Sequence, residues 1–120
     1  MRKLLFILFC LISFPSLGQE VLNDNFKKKV NDGLTVVEFR ADWNAKNQCN
    51  WIVELNDCNI YIAKLQSPHA KKLKVTVLPT IIIFDDGVEV SRFEGNLMFQ
   101  LEITKDEMQE EIDDIILNKF

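Results

Sequence analysis

The sequence has few of the residues that build structural zinc sites, and it has no excess of the basic residues that bind nucleic acid. It contains one histidine and three cysteines, whereas a structural zinc ion takes four ligands, usually with paired short spacings. A site made of Cys49, Cys58 and His69 would lack the fourth ligand, so we expect no metal and no cofactor. Acidic residues outnumber basic ones by 18 to 14. Because phosphates require a basic protein face, we do not expect nucleic acid among the partners.

The sequence also offers no convincing membrane span. The apolar stretch 4–14 covers about eleven residues, roughly half of what a transmembrane helix needs. Arg2 and Lys3 precede this stretch, and Pro15-Ser16-Leu17-Gly18 follows it, which is the order of a secretory signal peptide. We predict a signal peptide over 1–18 and one domain over 19–120, periplasmic or secreted, with no stable membrane span after cleavage.

Removal of the signal peptide would take Cys10 with it and leave Cys49 and Cys58 in an oxidising compartment. If the segment between them is mostly helical, their Cα atoms lie about 10 Å or more apart. A disulfide needs less than about 7 Å. The spacing favours two free thiols, and a bridge stays open only if that helix is short or broken.

Hydrophobic periodicity predicts alternating helices and strands. A strand, a helix and a second strand in succession imply a parallel pair, and two strands around Asp85-Asp86-Gly87 imply an antiparallel hairpin. The sheet is therefore expected to be mixed. The predicted elements are a helix over 21–30 that includes Leu22, a strand over 34–41, a helix over 45–55 with Asn44 as N-cap, a strand over 59–65, a helical turn over 68–73, hairpin strands over 80–84 and 88–93, and a last helix that Thr104 begins with Glu107 as capping-box partner.

Two segments resemble the thioredoxin family. VVEFRADW, at 36–43, resembles the strand that delivers the family's active site, and VLPTIIIFDDGVEVSRFEG, at 77–95, resembles its proline loop, hairpin and following glycine. The resemblance covers nearly all of the mature chain. It implies a thioredoxin-like three-layer α/β sandwich, with a mixed central sheet of about four strands flanked by helices. Compared with the family, no first edge strand is visible before the first helix.

The chain departs from the family at the active site. Where the family has Trp-Cys-x-x-Cys, this sequence has Trp43 followed by Asn44-Ala45-Lys46-Asn47. The family's chemistry needs a low-pKa thiolate and a second, resolving thiol, and asparagine supplies neither. We therefore predict no dithiol oxidoreductase activity. The alternative is a thiol-disulfide oxidoreductase or redox sensor that uses Cys49 as its candidate catalytic residue, with or without Cys58.

The resemblance also implies a surface for a peptide or protein partner. In the family the bond before the conserved proline is cis, which corresponds here to Leu78-Pro79. That geometry would turn the backbone of Leu78 outward, so that an extended partner could pair with it as an added strand. Trp43 and Gly95 would flank this groove. The simpler alternative is that Pro79 only begins a strand and Trp43 only packs.

Two charged residues complete the resemblance. Glu38 falls where the family keeps a buried acid, and Lys64 falls where its lysine partner lies, which implies a structural buried pair. Arg40 lies on the same face of the strand as Glu38 and could compete for its carboxylate.

A third function rests on the apolar run NLMFQLEI at 96–103. It replaces the family's brief link between the last strand and the last helix. If Phe93, Leu97, Met98 and Phe99 are exposed, they would mark an interface in a structural subunit of an envelope assembly. The sequence leaves the oligomeric state open.

Overall fold

The computed structural model describes residues 20–21 and 25–119. The predicted signal peptide, with Cys10, and Leu22 of the first predicted helix lie outside these residues, so the signal peptide stays a prediction. In chain order the described elements are β1 (Glu20–Val21), α1 (Phe26–Val30), β2 (Leu34–Arg40), two 3₁₀ segments (Asp42–Asn47 and Asn50–Glu54), β3 (Asn59–Lys64), α2 (Pro68–Lys72), β4 (Thr80–Asp85), β5 (Val88–Glu94) and α3 (Lys105–Asn118).

The strands form one mixed sheet in the order β1-β3-β2-β4-β5. β3 pairs in parallel with both β1 and β2, whereas β4 pairs antiparallel with β2 and with β5. The mixed sheet predicted from the sequence is therefore confirmed. The expectation that no edge strand precedes the first helix is wrong, because β1 pairs at the edge. The start of the predicted helix over 21–30 is also wrong, because Val21 lies in β1 and α1 begins at Phe26. With only two residues, β1 is too short to show the alternation that reveals a strand.

β2 is the central strand and is buried on both faces. Its side chains alternate between two separate cores. Val37 and Phe39 lie on the face that packs against α1 and α2, which we call the apolar face. Val36 lies on the opposite face, where the second 3₁₀ segment and α3 pack, and which we call the site face. Glu38 follows Val36 on the site face by alternation, and it is fully buried.

The segment after β2 is not the continuous helix that the periodicity predicts. It forms two 3₁₀ segments with extended backbone between them. Asn44 lies inside the first segment with φ of −112° and caps nothing. The prediction of a helix over 45–55 with Asn44 as N-cap is therefore wrong. The reason is a long-range contact: the backbone N–H of Cys49, which would otherwise donate within the helix, donates to the Glu38 carboxylate at 2.8 Å.

α3 begins as predicted. The Thr104 side chain accepts a hydrogen bond from the Glu107 N–H, and the Glu107 carboxylate accepts one from the Thr104 N–H, so the capping box is complete. Met108 and Ile112 on this helix are buried in the site-face core. Over the parts of the chain that the structure describes, no helix has the length and hydrophobicity to cross a bilayer.

Candidate functional site

The residues at the two cysteine positions of the resembling motif form an amide pair. Asn44 and Asn47 lie one turn apart in the first 3₁₀ segment, and the Asn47 Nδ2 group donates to Asn44 Oδ1 at 3.4 Å. Asn44 is buried, and its Nδ2 group donates to the Phe99 carbonyl at 3.5 Å. Two uncharged amides therefore occupy the place of a dithiol, and they can donate and accept hydrogen bonds but cannot attack a disulfide.

The thiol nearest to this pair is shielded from solvent. Cys49 is 5% exposed, and burial, followed by the nearby negative charge of Glu38, raises its pKa to about 12. Cys58 is half-buried, and burial followed by the charge of Asp57 raises its pKa to about 11. Both thiols are free, although the segment between them is not the continuous helix on which that expectation was based. Because the thiolate is the nucleophile, both positions are unfavourable for thiol chemistry at neutral pH.

Glu38 connects the central strand to the site. Its side chain is fully buried, one carboxylate oxygen accepts from Arg40 Nη2 at 2.8 Å, and the other accepts from the Cys49 N–H. The same Arg40 nitrogen donates to the Cys49 carbonyl at 3.3 Å. Burial raises the pKa of Glu38, and the hydrogen bond from Arg40 and that from the Cys49 N–H oppose this rise. The carboxylate thus holds the backbone between the two 3₁₀ segments in place.

The predicted buried pair between Glu38 and Lys64 is wrong. Lys64 ends β3 with an exposed side chain, and Arg40 is the partner of the acid. Arg40 lies two residues along the same strand, so its guanidinium reaches Glu38 on the same face of the sheet. At the end of β3 the Lys64 ammonium is exposed instead, which avoids the cost of burying it.

The structure brings Leu78, Pro79 and Gly95 together. The Leu78-Pro79 peptide bond is cis, and the Gly95 N–H donates to the Pro79 carbonyl at 2.8 Å. A Cβ atom on Gly95 would overlap the Leu78 carbonyl oxygen, so this close approach requires glycine. However, Leu78 is only 1% exposed and Pro79 is buried. The expectation that the Leu78 backbone faces outward is therefore wrong for this conformation.

The segment after Gly95 forms a compact loop over 96–100. The Asn96 side chain accepts hydrogen bonds from the N–H groups of Met98 and Gln100, at 2.8 and 3.1 Å. The Asn96 backbone also pairs with Gln100 and Phe99, both at 2.9 Å. A side chain that accepts from its own loop in this way fixes the turn locally. The loop therefore presents Leu97 to solvent from a defined backbone.

This loop contacts the motif through two aromatic rings. Phe99 packs edge-on against Trp43, with ring centroids 5.2 Å apart. Trp43 is 60% exposed, Leu97 is 97% exposed, and Met98 and Phe99 are also exposed. We call these four side chains the apolar cluster. Trp43 and the run 96–103 lie far apart in the sequence, and the contact between the two rings brings them together. Phe93, which was expected to be exposed with this run, is half-buried against the site-face core.

Solved structures show the fold of this chain. A mutant thioredoxin from Halobacterium salinarum superimposes with a TM-score of 0.61 at 18% identity, covering 80% of this chain and 88% of that one. The thioredoxin-like fold implied by the sequence is therefore confirmed.

Sequence relatives point to the same family. No family model matches the chain. Thioredoxin from Chlamydia muridarum is 33% identical over 87 residues, which cover 64% of this chain and 83% of the relative. Thioredoxin from Chlamydia trachomatis is 30% identical over the same length and the same shares of both chains. With most of these relatives' length covered at this identity, the chain belongs to the thioredoxin family.

Proposed function

We propose that this protein is an exported thioredoxin-family protein that lacks dithiol oxidoreductase activity and binds a partner protein through the apolar cluster. The observation that carries the proposal is the amide pair of Asn44 and Asn47 at the family's cysteine positions, joined by a hydrogen bond. The Asn44 amide also donates to the loop that presents the cluster. The residues at the family's cysteine positions thus help to hold the loop that carries the exposed surface.

The surroundings of Cys49 argue against the redox alternative. A thiolate at this position would lie in a buried core beside the Glu38 carboxylate, and both factors raise the pKa, to about 12. Reactive cysteines are found instead in electropositive, partly exposed surroundings. Cys58 lies at the start of β3, also with a raised pKa. Neither thiol has the environment that an attacking thiol needs.

The apolar cluster has the composition of a recognition surface. Aromatic residues and methionine are enriched in the cores of protein interfaces, and soluble domains rarely expose several large apolar side chains together without a function. The Trp43 ring is already held by Phe99. Binding would therefore cost little ordering of this side chain. Strand addition at Leu78 would require a rearrangement at Gly95, because Leu78 is buried, whereas the cluster is accessible as it stands.

Export rests on the signal peptide predicted over 1–18. The test is the mass and N-terminal sequence of the protein recovered from the periplasm or medium after expression of the full chain. Export predicts a mature chain that begins near Gln19. An intact chain that stays in the cytosol would contradict this part of the proposal.

Insulin disulfide reduction, with dithiothreitol as electron source, tests the absence of redox activity. We expect the wild-type protein, Cys49→Ser and Cys58→Ser all to match the reagent blank. The matched control is the double variant Asn44→Cys/Asn47→Cys, which restores the family's motif in the same fold and should reduce insulin. Wild-type activity that disappears in Cys49→Ser would favour the redox alternative instead.

Partner binding is tested with immobilised protein and an extract of the exported fraction. The double variant Trp43→Ala/Met98→Asp disrupts the cluster. Leu117→Asp is the control, because Leu117 is as exposed as Met98 but lies on α3, outside the cluster. Quantitative mass spectrometry should show proteins that are lost from the cluster variant and retained by the control. Identical profiles would contradict the proposal.

Light scattering on the same variants separates the third function from the first. In a self-assembling structural subunit, the cluster variant would change the oligomeric state of the purified protein. A partner-binding protein would keep its oligomeric state in both variants.

A further inference from the structure

A cavity of about 390 Å³ lies on the apolar face of the sheet, on the opposite side from Glu38 and Cys49. It opens between α1 and α2. Its lining includes the buried side chains Phe26, Val30 and Phe84, together with Leu73. Its volume falls in the range of small-molecule sites, about 300 to 1,000 Å³. The interior therefore suits a small apolar group.

One wall of this cavity is aromatic and flat. The His69 ring stacks on the Phe26 ring, with centroids 4.4 Å apart and an angle of 10° between the planes. Both residues line the cavity. Phe26 is anchored further by an edge-on contact with Phe84, at 6.1 Å. Because these rings are fixed by one another, the wall is largely preformed, which is typical of ligand pockets.

The mouth of the cavity is positively charged. Lys27 of α1 and Lys72 of α2 both line it and are both exposed, and neither is paired with any acid among the described residues. The two acids that precede Gly87 have other partners. Asp85 pairs with Lys119 at 3.1 Å, and Asp86 accepts from the Gly33 N–H at 3.0 Å.

We propose that this cavity binds a small amphipathic anion: a short aliphatic chain or an aromatic ring that carries one carboxylate. The apolar part lies among Phe26, Val30 and Leu73, and the carboxylate lies between the Lys27 and Lys72 ammonium groups. A wholly polar ligand would lose its hydration against this lining without compensation. A neutral apolar ligand would gain nothing from the two ammonium groups at the mouth. The combination of an apolar interior and a cationic mouth selects a molecule with both properties.

The test is a titration of ¹⁵N-labelled protein with octanoate, followed by amide chemical shifts. We expect saturable shifts at Val30, Leu73 and Gly87, and weaker binding of 1-octanol, which has the same chain without the charge. The double variant Lys27→Glu/Lys72→Glu should weaken octanoate binding by about tenfold, since two charge-assisted contacts become repulsive. The same amide spectra show whether each variant is folded.

The matched control is Lys28→Glu/Lys71→Glu. It changes the same two helices and the same net charge, but these two lysines do not line the cavity. Octanoate affinity should change by less than about threefold in this control, because exposed charges at a distance are screened by salt. Equal losses in both double variants, equal affinity for octanol, shifts confined to the apolar cluster, or no saturable shifts would each overturn the proposal.

Discussion

The two faces of the sheet are built on one strand but are held in different ways. On the apolar face, β2 contributes Val37 and Phe39 to a hydrophobic core, and Thr35, which lies on the same face by alternation, is the buried polar residue that this strand adds. On the site face the same strand contributes the buried acid Glu38, which binds Arg40 and the backbone of Cys49. The first face has two short helices with lysines, and the second has two 3₁₀ segments and α3 with its acidic side chains.

This difference shows how a family fold can keep its framework while the residues of its active-site motif change. Among the described residues, the apolar face buries no charged side chain, so its packing does not depend on the residues of the motif. The site face keeps a buried carboxylate although no thiol remains for it to serve at Asn47. The carboxylate has a structural use instead, because it accepts the hydrogen bond that fixes the backbone at Cys49. The free energy of unfolding should therefore change by different amounts, and with a different pH dependence, when residues on the two faces are substituted.

The largest loss of stability is expected from a substitution on the apolar face. Phe39→Ala removes a fully buried ring from the core and should lower the free energy of unfolding by about 4 kcal/mol. Urea denaturation followed by circular dichroism measures this loss. The control is Val88→Ala, on an exposed residue of β5, which should change it by less than about 0.5 kcal/mol. A loss below about 2 kcal/mol for Phe39→Ala would mean that the surrounding side chains move in to fill the space left by the ring.

The next effect is expected on the site face. Arg40→Ala leaves Glu38 buried without its cation and should cost about 3 kcal/mol at pH 7. The cost should decrease as the pH falls, because burial raises the pKa of Glu38 and a protonated carboxyl group needs no cation. Lys105→Ala is the control, since its pair with Glu54 is exposed and should contribute at most about 1 kcal/mol. Equal costs for the two variants would show that the buried pair does not hold this face.

A smaller effect concerns the proton on Glu38. Burial raises its pKa above the ordinary value of 4.5, so the folded protein binds this proton more tightly than the unfolded chain does. The resulting stabilisation is complete below about pH 4.5 and is lost as the pH rises through the folded pKa. The free energy of unfolding of the wild type minus that of Glu38→Gln should therefore fall across this window and stay level above it.

Urea titrations of both proteins from pH 4 to pH 8 measure this difference. A difference that rises with pH would mean that Arg40 and the Cys49 N–H outweigh burial in setting the pKa.

The smallest effect is expected at the apolar cluster. Trp43→Ala should change the free energy of unfolding by less than about 0.5 kcal/mol, because exposed side chains contribute little to stability. Trp51 is half-buried against the site-face core, and Trp51→Ala should cost at least about 1 kcal/mol. Thermal unfolding of the two variants side by side gives the comparison. A large loss for Trp43→Ala would make this ring part of the fold rather than of a recognition surface.

Much of the fold could be predicted because its signals are local. The strands at 34–41 and 59–65, the hairpin around Asp85-Asp86-Gly87 and the capping box of α3 all agree with the structure to within one or two residues. Each depends on residues that are close together in the sequence. The two errors in element assignment, at β1 and at 45–55, have the opposite origin. β1 exists only through pairing with β3, and the segment 45–55 departs from a helix because Glu38 takes a hydrogen bond from it.

The sequence by itself determined that the chain carries Asn44 and Asn47 where the family has a dithiol, and that its elements follow the family's order. Residue identity and local periodicity are sufficient for both conclusions. Only the tertiary structure decided that Arg40 rather than Lys64 pairs with Glu38, and that Phe99 packs on Trp43. It also placed the lysines of α1 and α2 around one cavity. These contacts depend on how the chain brings distant residues or competing partners together, and no local pattern records that arrangement.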